Sequence, residues 1–71
     1  MRKKENKVSL TILRQAKGLS QRDLAKATGI SPSTIASYET GTRMPRLDNA
    51  LILSEFFGIK PQQIQFGPPT R

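Results

Sequence analysis

The sequence predicts an all-α domain, a compact bundle of four to five short helices. Three observations carry that prediction. Apolar residues recur at three- and four-residue spacing, with no sustained alternation of the kind a half-buried strand shows. Serine or proline opens most of these stretches, and glycine followed by an apolar residue closes most of them. Finally, 71 residues suffice for one domain around one small core.

The elements follow in order. Residues 1–7 carry Arg2, Lys3, Lys4 and Lys7 without an apolar period and are expected to form a flexible basic arm. The first helix is expected from about Val8 to Lys17, with Val8, Ile12 and Ala16 on one face and Leu13 beside them. Gly18-Leu19 reads as its stop. Ser20 and Asp23 have capping-box spacing and open the second helix, whose inward residues are Leu24, Ala25 and Ala27. Gly29 ends it, with Ile30 under the turn. Ser31 as N-cap and Pro32 at the first helical position open the third helix, whose inner face is Ile35 and Tyr38 and whose stop is Gly41.

After the basic loop Thr42–Arg46, a fourth helix is expected from about Leu47 to Phe57, with Asp48 favourably placed in its first turn. Leu47, Ala50, Leu51, Leu53, Ser54 and Phe57 would cover its inner side. Gly58-Ile59 stops it, and Pro61 opens a last short helix through Gln65. The folded domain is thus expected over residues 8–66, with a flexible tail at 67–71.

Composition narrows the function. The chain has no cysteine and no histidine, which removes thiolate and imidazole metal ligands and the commonest general base. Its five acids, Glu5, Asp23, Glu39, Asp48 and Glu55, show no paired-carboxylate spacing. An enzyme, a metal site, a cofactor and a small-molecule ligand are therefore not expected. The net charge is +7 and the isoelectric point about 10.7, a balance that calls for a polyanionic partner, nucleic acid before membrane. Apolar runs such as Ala50–Leu53 are far too short to span a bilayer, and the N-terminus lacks the apolar core of a signal peptide. The expected location is the cytoplasm, where the chain is made.

The second and third helices, joined through Gly29, have the helix-turn-helix layout. The surrounding pattern sharpens it: Arg14, then Leu19-Ser20-Gln21, Leu24-Ala25, Gly29-Ile30-Ser31, Ser33-Thr34-Ile35, Tyr38-Glu39, Gly41, Pro45, Phe57 and Gly58-Ile59. On these residues, from Val8 to about Ile64, the sequence resembles the Cro and phage-repressor-like (XRE-type) helix-turn-helix regulators, whose fold is the lambda-repressor-like DNA-binding domain.

The resemblance implies that the third helix, about residues 32–40, is a recognition helix, with base-reading positions at Pro32, Ser33, Thr34 and Ser37. It implies a phosphate contact from Gln21 and another from Thr40. The residues themselves fit this use. Short hydroxyls let the backbone approach the major groove closely and pair with either base type, and the Thr34 methyl suits a thymine methyl. The chain departs from the family in having no Gln, Asn or Arg at those positions, so bidentate readout is absent and specificity must rest on several weaker contacts, water and DNA shape. Arg22 on the second helix and Thr42, Arg43 and Arg46 in the basic loop are candidate phosphate contacts, which set register rather than read sequence. The resemblance also implies a structural ion pair between Arg14 and Glu39.

Ile52 and Phe56, four residues apart on the remaining side of the fourth helix, together with Ile64 and Phe66, are expected to form an exposed apolar patch that serves as a homodimer contact. The function expected is a sequence-specific DNA-binding transcriptional regulator, a repressor, bound as a dimer to a pseudo-palindromic operator. It would be a short Cro-like regulator, a control or antitoxin protein, or the DNA-binding piece of a longer repressor. The alternative is a protein-interaction module that uses the same fold and the same apolar patch.

Overall fold

A serine decides where the first helix begins. Ser9 is extended (φ −66°, ψ 149°) and its hydroxyl accepts the backbone N–H of Ile12 at 3.1 Å. It is therefore the N-cap of α1 (Leu10–Ala16), and the helix starts two residues after the expected Val8. Val8–Ser9 instead form a short strand, β1, which pairs in parallel with β2 (Ile64–Gln65), Val8 opposite Ile64 and Ser9 opposite Gln65. The last expected helix is shortened to match: a 3₁₀ turn covers Pro61–Gln63, and the chain is extended from Ile64. Strands of two residues are too short to show alternation in the sequence, because the period-2 signal needs about four residues or more.

These elements come from a computed structural model that describes residues 7–68. Arm residues 1–6 and tail residues 69–71 lie outside the described residues. The helices after α1 are α2 (Gln21–Thr28), α3 (Pro32–Thr40) and α4 (Leu47–Phe57).

Leu10, Leu24, Ile35 and Leu53, one from each helix, are fully buried and make the centre of the core. Burial of each such side chain stabilises the fold by about 1.5–3 kcal/mol. Ala25, Ile30, Tyr38 and Ile64 complete the core, and Leu13, Leu19, Phe56, Phe57, Ile59 and Phe66 pack against it. The buried face of α1 is thus Leu10 and Leu13. Ile12, expected inside, is 48% exposed, and Ala16 is exposed as well. Ala27 of α2 also faces outward.

The caps of α2 and α3 are the expected ones. Ser20 Oγ accepts the Asp23 N–H and the Asp23 carboxylate accepts the Ser20 N–H, each at 3.0 Å. The Ser20 backbone N–H first, and the nearby Ser20 hydroxyl second, hold the Asp23 carboxyl below its ordinary range. Ser31 caps α3 by accepting the Thr34 N–H at 3.2 Å, with Pro32 in the first turn. Gly29 takes the left-handed conformation (φ 80°) that the tight α2–α3 turn requires.

Helix α4 is rotated relative to the sequence expectation. Leu53 and Ser54 are buried, whereas Leu47 and Leu51, expected on the inner side, are 71% and 41% exposed. Phe56 turns in instead, edge to face with Phe57 at 5.0 Å and with the Lys17 ammonium 5.6 Å from its ring centroid. Ile64 is buried, and Phe66 packs edge-on against Tyr38 at 5.8 Å. The expected patch of Ile52, Phe56, Ile64 and Phe66 is therefore not a surface: only Ile52 stays exposed. The physical reason is the β1–β2 pairing, which draws the C-terminal segment back over the core and buries its apolar side chains. Gly67, expected at the start of the tail, is itself buried, and its N–H donates to the Tyr38 carbonyl at 2.8 Å.

Candidate nucleic-acid interface

The turn Gly29–Ser31 sets α3 across α2. Ile35, Tyr38 and Glu39 are buried on its inner side, so the rest of α3 is what the domain presents. Pro32, Ser33 and Thr40 are exposed; Thr34 and Ser37 are half-buried. The exposed end is a cluster of hydroxyls. Ser31 Oγ donates to Thr34 Oγ1 at 2.8 Å and lies 3.4 Å from Ser33 Oγ. Because Thr34 Oγ1 already accepts from Ser31, its own O–H is left to donate outward. A donor fits guanine N7 and O6, adenine N7 or thymine O4.

Beside the hydroxyl face runs a polar groove of about 380 Å³, lined by Thr34, Tyr38, Arg43, Met44, Arg46, Asp48 and Asn49. Three of the residues singled out in the sequence thus meet here: Thr34 from the recognition face and the two loop arginines. Thr42, also from the loop, sits against the end of α3, its hydroxyl 2.9 Å from that of Thr40. Thr40 Oγ1 donates in turn to the Ser37 carbonyl at 3.2 Å. Arg22 and Pro32 lie elsewhere, on a shallow, less polar groove with Ala25, Lys26, Gly29 and Ile30.

Behind α3 is an ion-pair network. Arg14 Nε and Nη2 donate to the two Glu39 carboxylate oxygens at 2.7 and 3.2 Å, and Arg14 Nη1 donates to the Leu19 carbonyl at 2.8 Å. Gln21 Nε2 donates to Glu39 Oε1 at 2.9 Å. The amide assigned in the sequence to a phosphate is thus held by Glu39, which leaves Gln21 its carbonyl oxygen and one N–H. Burial pushes the Glu39 carboxyl up, but the hydrogen bonds from Arg14 and Gln21 outweigh it and hold the group below its usual range.

Two groove residues were not singled out in the sequence. Met44 is 67% exposed at the loop tip. Asn49 Nδ2 donates to the Tyr38 hydroxyl at 2.9 Å and joins α4 to α3. No sequence signal marks Asn49, because its pairing with a residue eleven positions back depends on where the loop returns the chain. Among the described residues no cluster of acids could hold a metal ion, and no helix is long and apolar enough to cross a membrane.

A capped helix pair joined by a left-handed glycine, with a hydroxyl-bearing outer helix flanked by arginines, defines a helix-turn-helix domain. Comparison with known proteins gives the family. Residues 10–64 match the family model described as helix-turn-helix. The chain is 40% identical over 58 residues to an uncharacterized HTH-type transcriptional regulator of Methanocaldococcus jannaschii, covering 82% of this chain and 88% of that one. It is 34% identical over 47 residues to the cryptic phage CTXphi transcriptional repressor RstR of Vibrio cholerae, covering 66% of this chain and 42% of the repressor's length. No solved structure matches. The chain belongs to the XRE-type helix-turn-helix family of transcriptional regulators, which is not an enzyme family.

Proposed function

We propose that this protein is a sequence-specific transcriptional repressor that inserts α3 into the major groove of a pseudo-palindromic operator as a homodimer. The observation that carries the reading is the placement of the Ser31–Ser33–Thr34 hydroxyl cluster beside the groove that holds Arg43 and Arg46. Hydroxyls at the N-terminal half of α3 read base edges, while the arginines neutralise phosphates on either side of the groove. The net charge of +7 favours encounter with the duplex. The repressor reading is supported by the likeness to RstR, of whose length the chain spans less than half. A DNA-bound regulator would act at the nucleoid.

The proposed dimer contact keeps only Ile52 of the patch that the sequence suggested. Leu47, Leu51 and Ile52 are the large apolar side chains exposed along α4, at 71%, 41% and 39%. A two-fold axis through this ridge would pair α4 with its copy; a pseudo-palindromic operator calls for two α3 helices about 34 Å apart, one turn of DNA. The same ridge supports the second reading, a module that docks another protein.

Selection from a library of randomised duplex DNA tests the proposal. The expected result is an enriched inverted repeat with half-sites one helical turn apart. Absence of duplex binding even at low salt would sink the repressor reading and favour the docking module.

A further inference from the structure

We infer that Tyr38 and Asn49 are positioning residues: their hydrogen bond fixes the arginine loop relative to the recognition helix. The two ends of the loop are held differently. At its start, the Ser37 carbonyl receives the N–H groups of Gly41 and Thr42 at 3.0 Å and of Arg43 at 3.3 Å, so the chain leaving α3 is folded back on the last turn. At its far end, Arg46 is the N-cap of α4 but makes no side-chain cap bond. The first turn of α4 reaches α3 through Asn49 Nδ2, which donates to the Tyr38 hydroxyl at 2.9 Å.

Tyr38 is a fixed anchor for that bond. Its side chain is buried, Phe66 packs edge-on against its ring at 5.8 Å, and its carbonyl accepts the Gly67 N–H at 2.8 Å. The loop is therefore closed at both ends on one helix, and Arg43 and Arg46 line one groove with Thr34. Order established before binding is order that binding need not supply, so the bond strengthens the contacts that Arg43 and Arg46 make. The consequence for binding rests on the DNA reading above; the consequence for loop order does not.

Tyr38→Phe and Asn49→Ala test it. The Tyr38→Phe variant keeps the buried ring and loses only the hydroxyl. Backbone ¹⁵N relaxation of the free protein should show reduced order at residues 42–44 and 46 while α1, α2 and α3 keep theirs; unchanged order at those residues overturns the inference. Against a duplex obtained by selection, affinity should fall about three- to tenfold, the net worth of one hydrogen bond, and by less than about twofold when Arg43 and Arg46 are both alanine. A loss of the same size in both backgrounds means that the bond acts through general stability, and overturns the inference too. Should the wild-type chain bind no duplex, the DNA reading fails and the relaxation measurement alone decides the role of the bond.

Discussion

Arg14 and Glu39, twenty-five residues apart, form a two-pronged ion pair that fastens α1 to α3, with Nε–O and Nη2–O distances of 2.7 and 3.2 Å. The side chains are 13% and 6% exposed, so each is the other's main compensation for lost water. Arg14→Met would leave Glu39 buried without its cation. The expected destabilisation is about 3 kcal/mol, the low end for a broken buried pair because Arg14 keeps some solvent contact. For a domain of this size that lowers Tm by roughly 12 °C or more. A thermal melt shifted by only a degree or two would show that Glu39 finds another partner.

The same pair makes stability depend on pH, with a definite sign. The folded Glu39 carboxyl lies below its unfolded value near 4.5, because the Arg14 and Gln21 hydrogen bonds outweigh the effect of burial. Its contribution is therefore fully present above that value and is lost as the pH falls through the lowered folded value. Urea midpoints measured from neutral to acidic pH should drop more steeply for the wild type than for Glu39→Gln. Parallel curves would remove Glu39 as a source of the acid sensitivity.

Gly41 and Gly29 end α3 and α2 in the same left-handed conformation, φ 84° and 80°, but in different surroundings. A Cβ on Gly29 would meet nothing within 4 Å, whereas one on Gly41 would stand 3.2 Å from the Gly67 Cα. Gly29→Ala should cost about 1–2 kcal/mol, the penalty of that conformation alone. Gly41→Ala should cost more, since Gly67 must also move off the end of α3. Equal losses in chemical denaturation would mean that the C-terminal segment yields freely.

On DNA, Arg43→Ala should weaken all sequences alike and reduce the log–log salt slope by about one unit, as expected for one lost phosphate contact. Ser37→Ala should instead change the preference at one base pair in each half-site. Ser37 is half-buried and its carbonyl already serves the loop, so only its hydroxyl is at stake. A library profile unchanged by Ser37→Ala would strike it from the reading set.

If the apolar ridge of α4 is the dimer contact, Leu51→Lys should give a monomer by sedimentation with a near-normal melt, because the side chain is already 41% exposed. Phe56→Lys should unfold the domain rather than separate it, since Phe56 packs against the core. A dimer that survives Leu51→Lys would point to another surface.

The sequence by itself determined the helices and their order. Ser20 with Asp23, Ser31 with Pro32, and the left-handed glycines act within three or four residues of themselves, so their meaning does not wait for the rest of the chain. For the same reason the α2–turn–α3 unit and its hydroxyl-bearing outer helix are legible in the sequence. The tertiary structure decided what depends on chain return. In α1 two apolar stripes compete, and packing chose Leu10 and Leu13 over Ile12. Seven of the eleven residues of α4 are apolar and they fall all round the helix, so no periodicity could say that Leu47 and Leu51 would face out while Phe56 faced in. Two residues on each side of the β1–β2 pair are too few to signal a strand, yet that pairing carries Phe66 and Gly67 onto Tyr38. Short-range hydrogen bonding is written in the local sequence; which of two apolar faces is buried is settled only when the other end of the chain arrives to cover it.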